Sequence, residues 1–292
     1  MIGRTERSVW QKILTYLVLT AFGAIMIYPF FFMVTTSLKD SPEVYANILN
    51  PLGERLRLDN YWVVLGFADT QYHNILEILG GANLVRQVVN TAIVTLGVTV
   101  GQIITSILGG YAFARLRFPG RDWLFRIYLG TLMVPFAVLM VPIYKQMLIF
   151  GWVDRLESLI IPWLFTASGT FLMRQFFLGI PRELEEAAII DGASRFMILW
   201  RVFVPLIGPA IATQFTISFL YAWNSFIWPL VIIHNKVNYV VTLGLADIQG
   251  GYHAQPPLVL AGATLAIVPT VLVFLLAQRW FVEGIATTGL KG

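Results

Sequence analysis

Residues that could do chemistry gather in two stretches of this chain. The first reads Ile180-Pro-Arg-Glu-Leu-Glu-Glu-Ala-Ala-Ile-Ile-Asp-Gly-Ala-Ser-Arg-Phe196. Its adjacent carboxylates, Glu185 and Glu186, would point about 100° apart on a helix, so they do not make an acid/base pair. The second is a stripe of Gln214, Ser218, Tyr221, Ser225 and Trp228, spaced 4, 3, 4 and 3, with Asn224 at its edge. On one helix those spacings share a face. Amide, hydroxyl and aromatic groups there could meet a hydrated solute, or could bond neighbouring helices. Elsewhere the sequence offers little reactive chemistry. There is no cysteine, hence no disulfide or thiolate metal site. His73, His234 and His253 lie far apart. No Gly-x-x-x-x-Gly-Lys-Ser/Thr phosphate loop, His-Glu-x-x-His pair or Gly-x-Ser-x-Gly elbow occurs. These features predict a chain that is not an enzyme and binds no cofactor or metal itself.

The elements that must hold these residues are apolar. Of 292 residues, 57% are hydrophobic and 12% charged, with a net charge of +4. Soluble domains carry about twice that share of charge. Runs without Asp, Glu, Lys or Arg cover 13–38, 87–114, 127–144, 158–173, 202–235 and 248–278. A membrane helix needs about 20 mostly apolar residues, and a charge at its centre is costly. The pattern predicts an all-α, polytopic membrane protein with spans near 12–36, 86–113, 124–148, 158–179, 206–232 and 257–279. The first apolar stretch is longer than that of a cleaved leader, so it reads as a permanent span. With the N-terminus inside, 13 of the 20 Lys and Arg residues fall on the cytoplasmic side, and both termini face the cytoplasm.

Local signals shape the segment between the fourth and fifth spans. Pro181 suits a first helical turn, and Glu183, Glu185 and Glu186 complement the positive helix end. Gly192 offers a left-handed stop, and a second short helix should run from Ser194 to Phe203. The result is a cytoplasmic helix–turn–helix whose alanines leave a slim face, able to enter a groove on another protein. In the second span, Gly97-x-x-x-Gly101, Ser106 and Gly110 allow close helix approach. Pro135, Pro142 and Pro269 should kink their spans.

The Glu186-Ala187-Ala188-x-x-x-Gly192 pattern, followed by Val202-x-Val204-Pro205, resembles the EAA loop of bacterial binding-protein-dependent ABC importer permeases. The family usually ends that pattern Ile-x-Leu-Pro, and the valines are conservative departures. Thr170-Phe-Leu-Met-Arg-Gln-Phe-Phe177, Ala222-Trp-Asn-Ser-Phe-Ile-Trp-Pro229 and Gly284-Ile-Ala-Thr-Thr-Gly-Leu-Lys-Gly292 are similar to the second permease subunit of the carbohydrate-uptake branch, the maltose-G-like or glycerol-phosphate-E-like type. The resemblance spans nearly the whole chain.

It implies a type I importer permease fold: a single transmembrane domain over 1–292, with an N-terminal helix at 12–36, core spans at 86–279, a coupling loop at 180–205 and a cytoplasmic tail at 280–292. It implies that Glu186, Ala187, Ala188, Asp191 and Gly192 couple the permease to ATPase subunits. ATP and Mg would sit on those partners, not on this chain. A sister permease, two ATPase subunits and an extracytoplasmic binding protein would complete the assembly in the bacterial plasma (inner) membrane. The 234–257 loop, with Asp247, Gln249, Gly250, Gly251 and Tyr252, would reach towards the binding protein. Transport would proceed by alternating access. The solute stays open among di- and oligosaccharides, glycosides and glycerol 3-phosphate. Sugars present hydroxyls and apolar C–H faces, which suits the 214–228 stripe. An ion-coupled carrier acting alone would usually place ionisable residues at the midplane or pair broken helices across two repeats, and the charge-free runs show neither clearly.

Overall fold

The computed structural model describes residues 8–46, 50, 53–67, 84–250 and 255–288, with side chains followed to residue 278. Every regular element among them is helical. The chain divides into two compact units, residues 1–79 with 247–265, and residues 80–246 with 266–292.

In the first unit, helix α1 (Val9–Ser37) starts with a capping box: Gln11 N donates to Ser8 Oγ and Ser8 N to Gln11 Oε1. Its 29 residues reach about 44 Å, enough to cross a bilayer. Nearly all its large apolar side chains lie on the surface. Burial begins only at Thr35, Thr36 and Ser37. There the Asn60 amide donates to the Ser37 and Lys39 carbonyls at 2.8 and 2.9 Å, while Ser37 and Tyr61 share a hydroxyl bond at 2.6 Å. Asn60 and Tyr61 belong to α3 (Asp59–Leu65), which follows α2 (Ser41–Ala46). The 37–85 connection between the first two spans therefore contains two short helices within its described part.

The second unit is built around α4 (Leu84–Arg115). Along the chain after it come α5 (Arg121–Gly130), α6 (Phe136–Phe150), α7 (Glu157–Ile160), α8 (Ala167–Gly179), α9 (Arg182–Ile190), α10 (Arg195–Ile198), a π turn at Leu199–Phe203, α11 (Val204–Leu206), α12 (Gly208–Trp223), α13 (Ile227–Ile232), α14 (Val241–Gly250) and α15 (Pro256–Thr288); residues 247–265, the end of α14 and the start of α15, belong to the first unit. Two apolar clusters flank α4 along its length. One joins Val94 and Val98 to Leu159, Trp228 and Leu243. The other joins Ile107 and Tyr111 to Met173, Phe177 and Phe203.

Glycines in α4 make the close approach that their spacing predicts, and they use it within the chain. A Cβ on Gly97 would lie 3.1 Å from Ile160, and one on Gly110 would lie 2.6 Å from Met173 Cβ and 2.9 Å from the Arg174 amide nitrogen. On α8, a Cβ on Gly169 would meet Ser106 Oγ at 2.5 Å.

Among the described residues, three helices are long and apolar enough to cross a membrane unbroken: α1, α4 and α15 through residue 278. The others depart from the continuous helices expected at 124–148, 158–179 and 206–232. Arg121–Met133 and Phe136–Phe150 meet at 99°, and Arg195–Leu206 and Gly208–Trp223 at 80°. The 158–179 stretch divides into α7, a 3₁₀ turn at Ile161–Trp163 and α8. Proline accounts for three of the breaks: Pro135 is the N-cap of α6, Pro162 sits in the 3₁₀ turn and Pro209 follows the bend at Ile207; the further stop of α12 at Trp223 has no proline beside it. Each of these prolines lacks a donor for the preceding helical turn and disfavours helix in the residue before it. Pro142 and Pro269 lie inside unbroken helices instead. Within the stretch at 234–257 expected to be a loop, α14 is a further helix.

Candidate functional site

Helix α9 begins directly after Pro181, whose ψ of 140° turns the chain out of α8. It closes at Gly192, which has φ of +79°. There Gly192 N donates to Ile189 O and Ala193 N to Ala188 O, at 3.0 and 2.9 Å. This is the paired bonding of a Schellman stop, and glycine adopts the left-handed φ without strain. Ser194 then caps α10 by accepting from Met197 N at 3.2 Å. A helix–turn–helix elbow results, with both caps written in the sequence.

The elbow separates its two glutamates. Glu186, Ala187, Asp191 and Gly192 are exposed, and Ala188 is half-buried. Ile190 is 85% exposed and Phe196 69%, so an apolar surface accompanies the carboxylates on the open side. Glu185 points the other way and is buried. Its Oε2 lies 3.5 Å from Arg115 Nη1, and its Oε1 accepts from Arg195. Arg115 also donates to the Phe177 carbonyl at 3.1 Å and to the Ile180 carbonyl, and its guanidinium lies 5.0 Å from the Phe203 ring centre. These carbonyls belong to the last turn and cap of α8, where acceptors lack helical partners. Neither Glu185 nor Arg115 stood out in the sequence as a pair, since they lie far apart along the chain. The available signal was a basic residue ending a long span. A groove of about 620 Å³ opens beside the pair, lined by Arg115, Arg117, Arg121, Arg182, Glu186 and Ile189 among others.

The 214–228 stripe divides. Gln214 and Ser218 are buried: Gln214 Nε2 donates to Ser218 Oγ at 2.7 Å, Ser218 donates to Gln102 Oε1 at 2.6 Å, and Gln102 Nε2 donates to the Trp163 carbonyl at 2.9 Å. This relay ties α12 to α4 and to the 3₁₀ turn. Trp228 is also buried and donates to the Ser158 carbonyl at 2.9 Å. Tyr221 is 59% exposed, with its ring centre 6.5 Å from that of Trp163. Asn224 is exposed and bonds its own helix at the Leu220 carbonyl. Ser225 is half-buried, and its carbonyl accepts from Thr242. Since α12 ends at Trp223, Ser225 and Trp228 are not on the face of one continuous helix, contrary to the expectation from spacing. The cleft among Trp163, Tyr221, Ser225 and Trp228 holds only about 20 Å³, room for a single water.

Sequence reading missed a second polar row. Gln87, Thr91, Thr95, Thr99, Gln102 and Ser106 are all buried on α4. Their spacing of 4, 4, 4, 3 and 4 is visible in the sequence. Asp247, Gln249 and Gly250 occupy the last turn of α14, with Asp247 half-buried and the other two exposed. Gly251 and Tyr252 lie outside the described residues, as do Gly289 and Lys291 of the tail.

Known proteins resemble this chain in sequence and in fold. The family described as binding-protein-dependent transport system inner membrane component matches residues 102–287. The sn-glycerol-3-phosphate transport system permease protein UgpE of Rhizobium meliloti (strain 1021) is 34% identical over 286 residues, 97% of this chain and 99% of the relative. The arabinooligosaccharides transport system permease protein AraQ of Bacillus subtilis (strain 168) is 29% identical over 287 residues, 98% of this chain and 97% of the relative. A chain in the crystal structure of a bacterial ABC transporter involved in importing the acidic polysaccharide alginate superposes with a TM-score of 0.78, covering 96% of this chain and 99% of that one at 23% identity, and so shares its fold. On this evidence the chain belongs to the binding-protein-dependent inner-membrane components, a family of multi-pass ABC importer permeases, within the carbohydrate-uptake branch that its motifs resemble.

Proposed function

We propose that this permease forms, with a sister permease, the path for a sugar or sugar-like solute handed over by an extracytoplasmic binding protein, and that two ATPase subunits drive it through the elbow at 180–205. The observation that carries this reading is the open face of α9, where Glu186, Ala187 and Asp191 surround a nearly fully exposed Ile190. With Phe196 also exposed on the elbow, this apolar surface beside carboxylates suits burial in a cleft on an ATPase subunit. Ala187 keeps the surface slim enough to enter the cleft, Glu186 supplies a charged contact at its rim, and Gly192 turns the chain back towards the bundle. ATP and Mg are held by the ATPases; this chain contributes no catalytic group. Accumulating a neutral solute costs about 1.4 kcal/mol for each tenfold gradient, so the work comes from those partners.

Similarity to permeases named for glycerol 3-phosphate and arabinooligosaccharides supports a polyhydroxylated solute. Of the stripe, Tyr221 and Asn224 have the exposure that a path requires; Gln214, Ser218 and Trp228 support it from within the bundle, and Ser225 stands between. The end of α14 at Asp247, Gln249 and Gly250, with Gly251 and Tyr252 beyond, is the proposed approach to the binding protein.

The test is charge reversal at the elbow. In the reconstituted complex, Glu186→Lys should lower ATP-dependent uptake by about tenfold, equivalent to about 1.4 kcal/mol of lost coupling, while inserted permease stays at its normal amount. Normal uptake by that variant would remove Glu186 from the coupling role.

A further inference from the structure

Movement of the elbow has to reach the spans through some contact. The covalent connection at Ile180-Pro181 is one route, but it is a non-helical joint, with ψ near 130–140° at both residues. A stiffer one lies behind α9. Arg115, the last residue of α4, has a buried side chain. Its guanidinium meets four groups from three elements: the Phe177 carbonyl and the Ile180 cap carbonyl of α8, the Glu185 carboxylate of α9 and the ring of Phe203 in the π turn. Tyr111, one turn earlier on α4, donates to the Arg195 carbonyl at 3.5 Å and sets its ring edge-on to Phe177 and Phe203. A charge pair removed from water is held rigidly, because displacing either partner leaves an uncompensated charge. The planar fork of arginine fixes direction as well as distance.

We propose that Glu185 and Arg115 are positioning residues for transport: their buried pair is the joint that passes displacement of the elbow to α4, while the neighbouring, exposed Glu186 faces the motor. This rests on the reading of the elbow as the ATPase docking site. The roles of the two neighbouring glutamates then differ completely. Glu186 decides whether the ATPase engages, and Glu185 decides whether engagement moves the bundle. Arg195, with its side chain 57% exposed, is an outer brace rather than the joint.

The experiment compares solute imported per ATP hydrolysed in proteoliposomes containing the complete transporter and its binding protein. Wild type must first show ATP-dependent uptake; if it does not, the functional reading fails before the joint is tested. Glu185→Gln keeps the shape and removes the charge. It should leave binding-protein-stimulated hydrolysis near the wild-type rate while solute per ATP falls about fivefold or more. Arg115→Lys keeps the charge and loses the fork, and should change the ratio in the same direction. Glu185→Asp should restore part of the ratio lost in Glu185→Gln. Unchanged coupling in both Glu185→Gln and Arg115→Lys would overturn the proposal. So would a parallel fall of hydrolysis, uptake and inserted protein in both, which is the result expected of a pair that only holds the fold.

Discussion

Tyr221 and Gln214 lie seven residues apart on α12, yet their surroundings ask different things of them. Gln214 is enclosed and hydrogen-bonded through Ser218 to Gln102. Removing its amide leaves a buried hydroxyl short of a donor, at a cost of about 1 kcal/mol. Gln214→Ala should therefore lower the melting temperature of the purified complex with little change in the half-saturating solute concentration. Tyr221 is mostly exposed and packs only edge-on to Trp163. If it meets solute in the proposed path, Tyr221→Ala should raise the half-saturating concentration by roughly fivefold, the equivalent of about 1 kcal/mol, and leave the melting temperature alone. Uptake kinetics and thermal unfolding on the same two variants separate the roles. A kinetic shift in Gln214→Ala alone would reverse the assignment.

Elements show where sequence reading succeeds and where it stops. The elbow was legible because its boundaries are local: Pro181, Gly192 and Ser194 each dictate a backbone state within a few residues. The apolar runs were legible because burial in lipid depends on composition. The breaks at Pro135, near Pro162 and at Pro209 were harder, since proline inside a membrane helix is compatible with a kink or a stop, and only packing decides; the stop of α12 after Trp223 has no proline to mark it. Pro142 and Pro269 continue their helices, whereas Pro135 begins one. Treating 214–228 as one helix placed Trp228 on a face it does not share. The Arg115–Glu185 pair was invisible because nothing in sequence distance reports contact between two chain segments so far apart.

Contact between α4 and α8 makes a graded prediction. Adding a methyl at Gly110 brings it to 2.6 Å from Met173 Cβ and against the Arg174 backbone, which no rotamer change relieves. Gly110→Ala should cost about 1–3 kcal/mol. Gly97→Ala meets only side-chain atoms, Cγ2 and Cδ1 of Ile160 on α7 at 3.1 and 3.2 Å, and should cost less, and Gly23→Ala, with nothing within 4 Å, should cost nothing. Melting temperatures of the three variants in detergent, taken against wild type, check that order.

At the scale of the whole molecule, charge placement decides how the elbow meets its motor. Thirteen of the 20 basic residues lie on the side assigned to the cytoplasm, and such bias sets the orientation of a polytopic chain. The chain has no cysteine, so single cysteines report orientation without background. Ile190 on the elbow and His234 after α13 are both exposed. In spheroplasts, a membrane-impermeant maleimide should label His234→Cys in intact cells and Ile190→Cys only after permeabilisation. Coexpressing the ATPase subunits should then slow labelling at Ile190→Cys and leave His234→Cys unchanged, because a docked partner covers one side of the membrane alone. An inverted labelling pattern would put the elbow outside, beyond the reach of any ATP-consuming subunit. Equal labelling of Ile190→Cys with and without the ATPases would separate the elbow from the motor while leaving the orientation intact.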